Sequence, residues 1–467
     1  MLKCGNLNRR DFIRGTAATV AVTTAGCASV GPGANASESG SGGCLAPLIA
    51  SAPILQNAAE TSIGVAFAVS ADASGWVEYS TSADMTGAKR VYSGGHGLMR
   101  VDNKVALIRL TGLRPATRYF YRIGADRIDY RNGYEMRNLG AEADRKIHSF
   151  TTLGTALDGS FCVINDTHDE KESLGLTLSA LAALKPSVVV WNGDASNTSE
   201  CLDDALGVFV RTHDRFPEYA SDTPYAFLPG NHDFRGRFNR RLEDLMMFRE
   251  PAERAGEYAE LGRNFVLRLG DIALIGLDTG EDKLDTNPIF AGIFKMKSYR
   301  EKQAKWLSEV IETPAVRTAK FKVAFCHIPL FDARPYANPG DVAPADKDPR
   351  YTTDYAVWQR TCAELWAPSF VKAGVQLVIA AHQHRFRYDA PTQDRPWAQI
   401  VGGGSELGYI ERWSKSGRVL IPDASRFPTA IEGRVRNDRL TVVVHNVMTG
   451  GVAGEYEFSP TGRGALT

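Results

Sequence analysis

A chain of 467 residues has room for two or three domains and a large core. Its 54 basic and 54 acidic residues cancel, which excludes a general electrostatic attraction to nucleic acid or to membrane surfaces. Seven scattered cysteines with no Cys-x-x-Cys pair exclude a disulfide framework.

The amino-terminal stretch reads as a targeting segment. Asn8-Arg9-Arg10-Asp11-Phe12-Ile13-Arg14 resembles the twin-arginine export signal, and the apolar run from Gly15 to Ala25 is too short to span a bilayer. Two exits from it are open. Ala25-Gly26-Cys27 has the form of a lipoprotein box, with Thr24 where Leu is usual, whereas Ala34-Asn35-Ala36 suits ordinary cleavage. Residues 1–44 are thus expected to be a signal peptide and a tether, Ser37 to Gly43. The expectation is export of a folded protein to the periplasm, the medium or the cell surface. Membrane contact would come only through a lipid on Cys27.

Residues 45–155 read as all-β. Ile63–Val69, Gly75–Tyr79, Lys104–Ile108 and Arg118–Ile123 are strand-like and separated by turn-rich pieces, as in a β-sandwich. Leu113-Arg114-Pro115-Ala116-Thr117-Arg118-Tyr119 resembles the corner of a fibronectin type III domain, where a tyrosine bonds back to the chain. No chemistry is expected here; His96 and His148 stand alone and are read as solvent-facing or structural.

From residue 156 to 467, strands alternate with helical stretches, as in α/β folds. Five apolar runs each end on metal-binding residue types: Phe161–Ile164 before Asp166-Thr167-His168, Val188–Trp191 before Gly193-Asp194, Tyr225–Leu228 before Gly230-Asn231-His232-Asp233, Val323–Cys326 before His327, and Val375–Ala380 before His382-Gln383-His384. Functional groups gather beyond the carboxyl ends of such strands, so these residues are expected along one edge of one sheet. Ser173–Leu184, Ser298–Ile311 and Asp354–Ala373 carry helical spacing, with Gln303, Trp306 and Leu307 assigned to core packing. Cys162 and Cys326 are expected as core filler. After His384, the strands Trp397–Val401, Leu440–Val444 and Gly454–Phe458 are expected to form a second sheet packed on the first.

Five of the nine histidines fall in these motifs. Residues i and i+2 of an extended segment share a side, so Asp166/His168 and His382/His384 can each act as a pincer. Imidazole with carboxylate and amide oxygen suits Zn, Fe or Mn, and one carboxylate can bridge two cations. The motifs therefore point to a dinuclear site holding two divalent or trivalent ions.

Asp-x-His, Gly-Asp, Gly-Asn-His-Asp, a lone His and His-x-His, in that order, resemble the calcineurin-like metallophosphoesterase superfamily. The resemblance implies a four-layer α/β/β/α catalytic domain behind the sandwich. It also implies that Asp166, His168 and His384 hold one ion and Asn231, His327 and His382 the other, with Asp194 bridging. His232 would stand beside the phosphate as proton donor or charge stabiliser, with Asp233 orienting its ring, and a bridging hydroxide would be the nucleophile. The domain order is similar to that of purple acid phosphatases, from which the chain departs. Their first motif has Gly where this chain has His168, their tyrosine ligand position holds Asn197, and their third motif ends in Glu where Asp233 stands. Ala381 replaces the Gly usual before His-x-His.

Substrate contacts are less defined. Arg334, Tyr336, Arg350 and Tyr351 follow His327, Arg235 and Arg237 follow the third motif, and Arg387 and Tyr388 the fifth; any could meet phosphate or a sugar, though each alone is more simply a surface or packing residue. His213 and His445 are left as structural. The expected function is an exported metal-dependent phosphoesterase acting on a small phosphate ester. Two alternatives stand beside it: a surface binding or adhesion protein with a vestigial catalytic fold, and a phosphodiesterase or nuclease of the same superfamily.

Overall fold

The computed structural model describes residues 46–211, 220–248, 256–331, 349–414 and 417–461. The leader, the Cys27 box, His213, Arg334 and Tyr336 lie outside the described residues, as do the side chains of Arg350 and Tyr351.

Two sheets face each other at the centre. In the first, the parallel strands Ser160–Ile164, Val188–Asn192 and Tyr225–Leu228 lie side by side in register. Their side chains alternate between two environments, as a pleated strand buried on both faces requires. Phe161, Val163, Val188, Val190, Ala226 and Leu228 point inward, where they meet Leu274, Phe321, Val323, Phe325, Leu377 and Ile379 of the second sheet. Cys162, Ile164, Val189, Trp191, Tyr225 and Phe227 point outward and pack on Leu174, Leu178 and Leu181 of helix Lys171–Leu184 and on Leu206 and Phe209 of helix Leu202–Phe209.

The second sheet has six strands, with Ile272–Gly276, Phe321–Phe325, Leu377–Ala380 and Ala398–Val401 parallel. Its outer face is covered by Leu307 and Ile311 from helix Met296–Val310 and its C-cap, and by Cys362, Trp366 and Phe370 of helix Pro349–Ala373. Helix, sheet, sheet and helix therefore stack as four layers.

The three strands expected after His384 do not form a sheet together, contrary to the sequence expectation. Ala398–Val401 adds to the six-stranded sheet, whereas Thr429–Arg436, Arg439–Asn446 and Gly451–Phe458 extend the first sheet antiparallel from Ser160–Ile164. The five motifs likewise end strands of two facing sheets, not one. The first three close strands of the first sheet, and the last two close strands of the second.

The amino-terminal part is a β-sandwich. Ile54–Gln56, Ile63–Ala68 and Val105–Leu110 make one face; Ala73–Ser80, Lys89–Tyr92, Arg118–Asn132 and His148–Thr151 make the other. Val65, Phe67, Val77, Ile108, Tyr121 and Phe150 fill its core. The corner forms as expected: the Tyr119 hydroxyl accepts a 2.9 Å hydrogen bond from the Arg114 N–H. His96 is exposed and His148 buried. Cys201 is disulfide-bonded, while Cys162, Cys326 and Cys362 are free and buried.

The sandwich is not a bead on a string. Ile54–Gln56 pairs in parallel with Tyr225–Leu228, Gln56 against Tyr225, so the first sheet continues into the sandwich and counts nine strands. Buried bonds reinforce the join: Tyr121 Oη donates to the Ser221 carbonyl at 2.6 Å, and Ser221 Oγ to the Pro53 carbonyl at 2.8 Å.

Candidate metal centre

The loops that follow the first two strands are zipped together. The N–H groups of Asp166, His168 and Asp169 donate to the carbonyls of Gly193, Asp194 and Ala195, each at 2.9 Å. The backbone around the site is unusual. Asp166, His168, Asp194, His382 and His384 all sit in the left-handed region, with φ between 47° and 71°. Non-glycine residues hold such angles only where surrounding structure over-determines them, and such strain concentrates at functional sites. Gly193, at φ 83°, is needed for a second reason: a Cβ there would collide with the His327 ring.

Seven side chains expected from sequence as ligands meet at this edge. Asp166, His168, Asp194 and His384 form one group whose candidate donor atoms lie within 4.8 Å of one another; Asp194, His327 and His382 form a second. Asp194 belongs to both. Asn231 joins the second group, its Oδ1 at 2.8 Å from His382 Nδ1.

Two atoms on the floor of the site are turned toward it, and His327 Nε2 also lies 3.2 Å from Asp194 Oδ2. Asp166 Oδ1 and His327 Nε2 are buried without a hydrogen-bond partner and stand 3.7 Å apart. Asp166 Oδ2, by contrast, is fully engaged, accepting from Asn165 Nδ2 at 2.7 Å and the His382 N–H at 2.9 Å. His384 Nε2 is 3.3 Å from Asp166 Oδ1 and 3.0 Å from His168 Nε2. Nitrogens and carboxylate oxygens converging this closely are the arrangement a cation satisfies. The residues fit a metal pair.

The electrostatics agree. Burial alone would raise the Asp194 carboxyl, but His327 beside it holds it well below the usual range; Asp166 is lowered in the same way by His384 and His327. Burial works against protonated His327, yet Asp194 and Asp166 push it up to about 9. His384 is raised well above its ordinary value, against burial, by Glu406 and Asp166. His382 goes the other way, down to about 4, from burial and the nearby His327. Protons on His327 and His384 thus occupy, in the metal-free protein, the places cations would take.

The catalytic pair expected from sequence divides. The His232 ring lies edge-on to His168, with centroids 4.9 Å apart, beside the ligand groups. Asp233 does not touch the ring. Its carboxylate accepts from the N–H groups of Gly230 at 2.8 Å and Ala195 at 3.2 Å, so it shapes the two loops rather than orienting His232. Burial, followed by the charge of Asp194, pushes it up to about 7. The ring is held instead by Asn197, whose carbonyl lies 3.1 Å from His232 Nδ1 and whose Oδ1 lies 3.1 Å from His168 Nδ1. Asn197 thus bonds to the site.

Other contacts had no signal in the sequence. Glu406 lies 2.6 Å from His384 Nδ1 and 3.5 Å from Arg426. Tyr355 stacks on His382, with centroids 5.2 Å apart and planes 11° from parallel. Asn192 reaches across from the first sheet to the second. Glu281 and Asp282 grip Arg235, at 2.8 Å each. Of the substrate candidates, Arg387 is bonded to Asp389, Gln383 and the Phe331 carbonyl, and Tyr388 stacks on Tyr456, so both serve packing. Arg237 is exposed and His445 lies 3.8 Å from Glu432.

Residues 159–386 match the family model of the calcineurin-like phosphoesterases. The chain carries a calcineurin-like phosphoesterase domain. Its class of chemistry is hydrolysis of phosphoric ester bonds. The fold around the domain has counterparts among solved structures. Purple acid phosphatase PPD1 from yellow lupin (Lupinus luteus) seeds superposes with a TM-score of 0.57 at 14% identity, over 87% of this chain and 74% of its own. A structure of PhoD superposes with a TM-score of 0.59 at 11% identity, over 89% and 94%. No curated protein sequence matches the chain. The phosphoesterase domain and the amino-terminal sandwich thus recur together in other proteins with the same layered architecture.

Proposed function

We propose that this protein is an exported phosphoesterase that hydrolyses a small phosphate ester at two metal ions, of Fe, Zn or Mn type. Asp166, His168 and His384 would hold one ion, Asn231, His327 and His382 the other, and Asp194 both. The observation that carries this reading is that Asp194 is shared by two separate ligand groups. When bound, the ions supply positive charge to the phosphoryl oxygens and make the water between them acidic enough to attack at neutral pH. The chain's own work is positioning. Asn165 and the His382 N–H turn Asp166 so that Oδ1 faces the site, and the Asn192 carbonyl does the same for His327 Nε2. His232 flanks the groups where the ester would sit.

Balanced charge favours a small ester over a nucleic acid. Every ligand position is filled, which counts against a vestigial fold serving only adhesion. Export rests on the twin-arginine-like leader, and the disulfide at Cys201 suits it, because disulfides persist in oxidising compartments. A lipid on Cys27 would hold the enzyme at the membrane.

The test is metal content by plasma mass spectrometry beside turnover of nitrophenyl phosphate mono- and diesters. About two metals per chain and chelator-sensitive hydrolysis are expected. Absence of both after reconstitution would hand the lead to the binding-protein reading.

A further inference from the structure

The sandwich, both central sheets and helix Met296–Val310 meet around a cavity of about 400 Å³. Asn57 and Arg109 line it from the sandwich, Phe227 from the first sheet, Phe265 from the second and Trp306 from the helix. Its size suits a small organic molecule. None of the residues on its lining belongs to the two metal-ligand groups.

Two polar side chains on the lining carry donors in need of an acceptor. Asn57 is 8% exposed; its Oδ1 accepts from the Phe227 N–H at 3.2 Å, while Nδ2 has no hydrogen-bond partner. The Arg263 guanidinium lies over the rings of Phe234 and Phe248, 4.7 and 5.9 Å from their centroids. Its side chain is 13% exposed, and the Glu243 carboxylate at 3.7 Å from Nε stands outside hydrogen-bond distance. Arg109 is engaged by the Met247 carbonyl at 3.2 Å and Ser62 Oγ at 2.8 Å, and contributes charge. Glu257, the acidic side chain on the lining, is bonded to Lys305 Nζ at 2.6 Å. The charge of the lining is therefore positive.

A buried amide N–H and a desolvated guanidinium both gain from an acceptor, and one carboxylate has oxygens for each. Trp306, Phe248 and Phe265 offer aromatic surface to the rest of such a molecule. We infer that this cavity is a binding site for a small aromatic carboxylate, with Asn57 and Arg263 holding its charged end. The site shares no residue with the metal centre and does not rest on the phosphoesterase reading.

The probe is naphthalene carboxylate, titrated by calorimetry into the full chain with and without zinc, beside the uncharged naphthalene carboxamide. One carboxylate per chain should bind with a Kd of about 1 mM or lower, equal within about 3-fold in the two forms. The carboxamide should bind at least about 10-fold more weakly. Asn57→Asp keeps the acceptor for Phe227 and tolerates the φ of 46° there, but loses the amide donor. Arg263→Gln removes the guanidinium. Each should weaken the carboxylate by about 10- to 100-fold and leave zinc content unchanged. Equal affinity for the carboxamide would make the cavity merely apolar and overturn the inference. Wild-type affinity in either variant would overturn it too, as would no binding at about 10 mM. Binding confined to the zinc-loaded chain would put the carboxylate on the metals and sink the cavity as its site.

Discussion

Asn192 and His327 belong to facing sheets and meet through a 2.9 Å hydrogen bond from His327 Nδ1 to the Asn192 carbonyl. The Asn192 amide crosses the same gap, donating to the carbonyls of Cys326 at 3.0 Å and Ile379 at 3.3 Å. One residue thus ties the ends of two sheets together directly beneath the ligand groups. Asn192→Ala removes the amide but keeps the carbonyl. We expect a loss of about 1–3 kcal/mol, from the Cys326 carbonyl losing the Asn192 amide while the Ile379 carbonyl keeps only the Cys326 N–H, in urea unfolding of the metal-free protein. Metal stoichiometry should survive, because the backbone contact to His327 does.

Asp194→Asn tests the shared ligand. A carboxamide offers one oxygen where the carboxylate offers two, so the pair cannot both be held. Metal content should fall from about two per chain to one or fewer, and aryl phosphate turnover by at least about 1000-fold. Retention of two ions with near-normal turnover would remove Asp194 from the centre of the site.

The metal-free protein should lose stability as pH rises above 6.5. His327 is raised from its ordinary 6.5 to about 9, so its stabilising contribution is complete below 6.5 and is lost as pH rises through 9. Below 6.5, His382 and His232, pushed down to about 4 and about 3, favour unfolding as pH drops, while Asp233, pushed up to about 7, and Glu281, pushed up to about 8, act in the opposite direction. Thermal melts of chelated protein across pH 6.5–9 would trace the alkaline limb. Adding metal should abolish the alkaline limb, because cations replace the His327 and His384 protons.

Glu406 orients His384 from outside the site. Glu406→Gln removes a carboxylate lying 2.6 Å from the ring nitrogen. Metal affinity in competition with a chelator dye should weaken by about 10- to 100-fold.

A fragment starting at residue 156 should not fold. Removing the sandwich would strip Ile54–Gln56 from Tyr225–Leu228 and expose a four-residue apolar strand edge. Expression of the fragment should give aggregate or a molten species by near-ultraviolet circular dichroism, whereas the chain from Leu48 should fold.

Most of the site was legible because each ligand follows a β-branched or aromatic run, and such runs announce both a strand and its end. Asp166, Asp194 and His327 needed nothing more. The sheet assignment was less accessible. Val188–Asn192 and Phe321–Phe325 are equally apolar, because both sheets are buried on both faces, so composition cannot tell one sheet from its neighbour. Asp233 misled because adjacency in sequence suggested contact, while a short helical turn directs its carboxylate back to Gly230. Glu406 and Tyr355 gave no signal, since each reaches its histidine only through the tertiary fold.

The nine-stranded sheet also fixes when the protein can become itself. Ser160–Ile164 has Val188–Asn192 on one side, but its other neighbour is Thr429–Arg436, with Cys162 opposite Glu432. The sheet is incomplete until nearly the whole chain has left the ribosome. Pairings so distant in sequence make assembly slow. A polypeptide of this topology gains little from being threaded across a membrane as it is made. It would be better served by closing its sheets, and filling the pocket between them, in the compartment where it is synthesised.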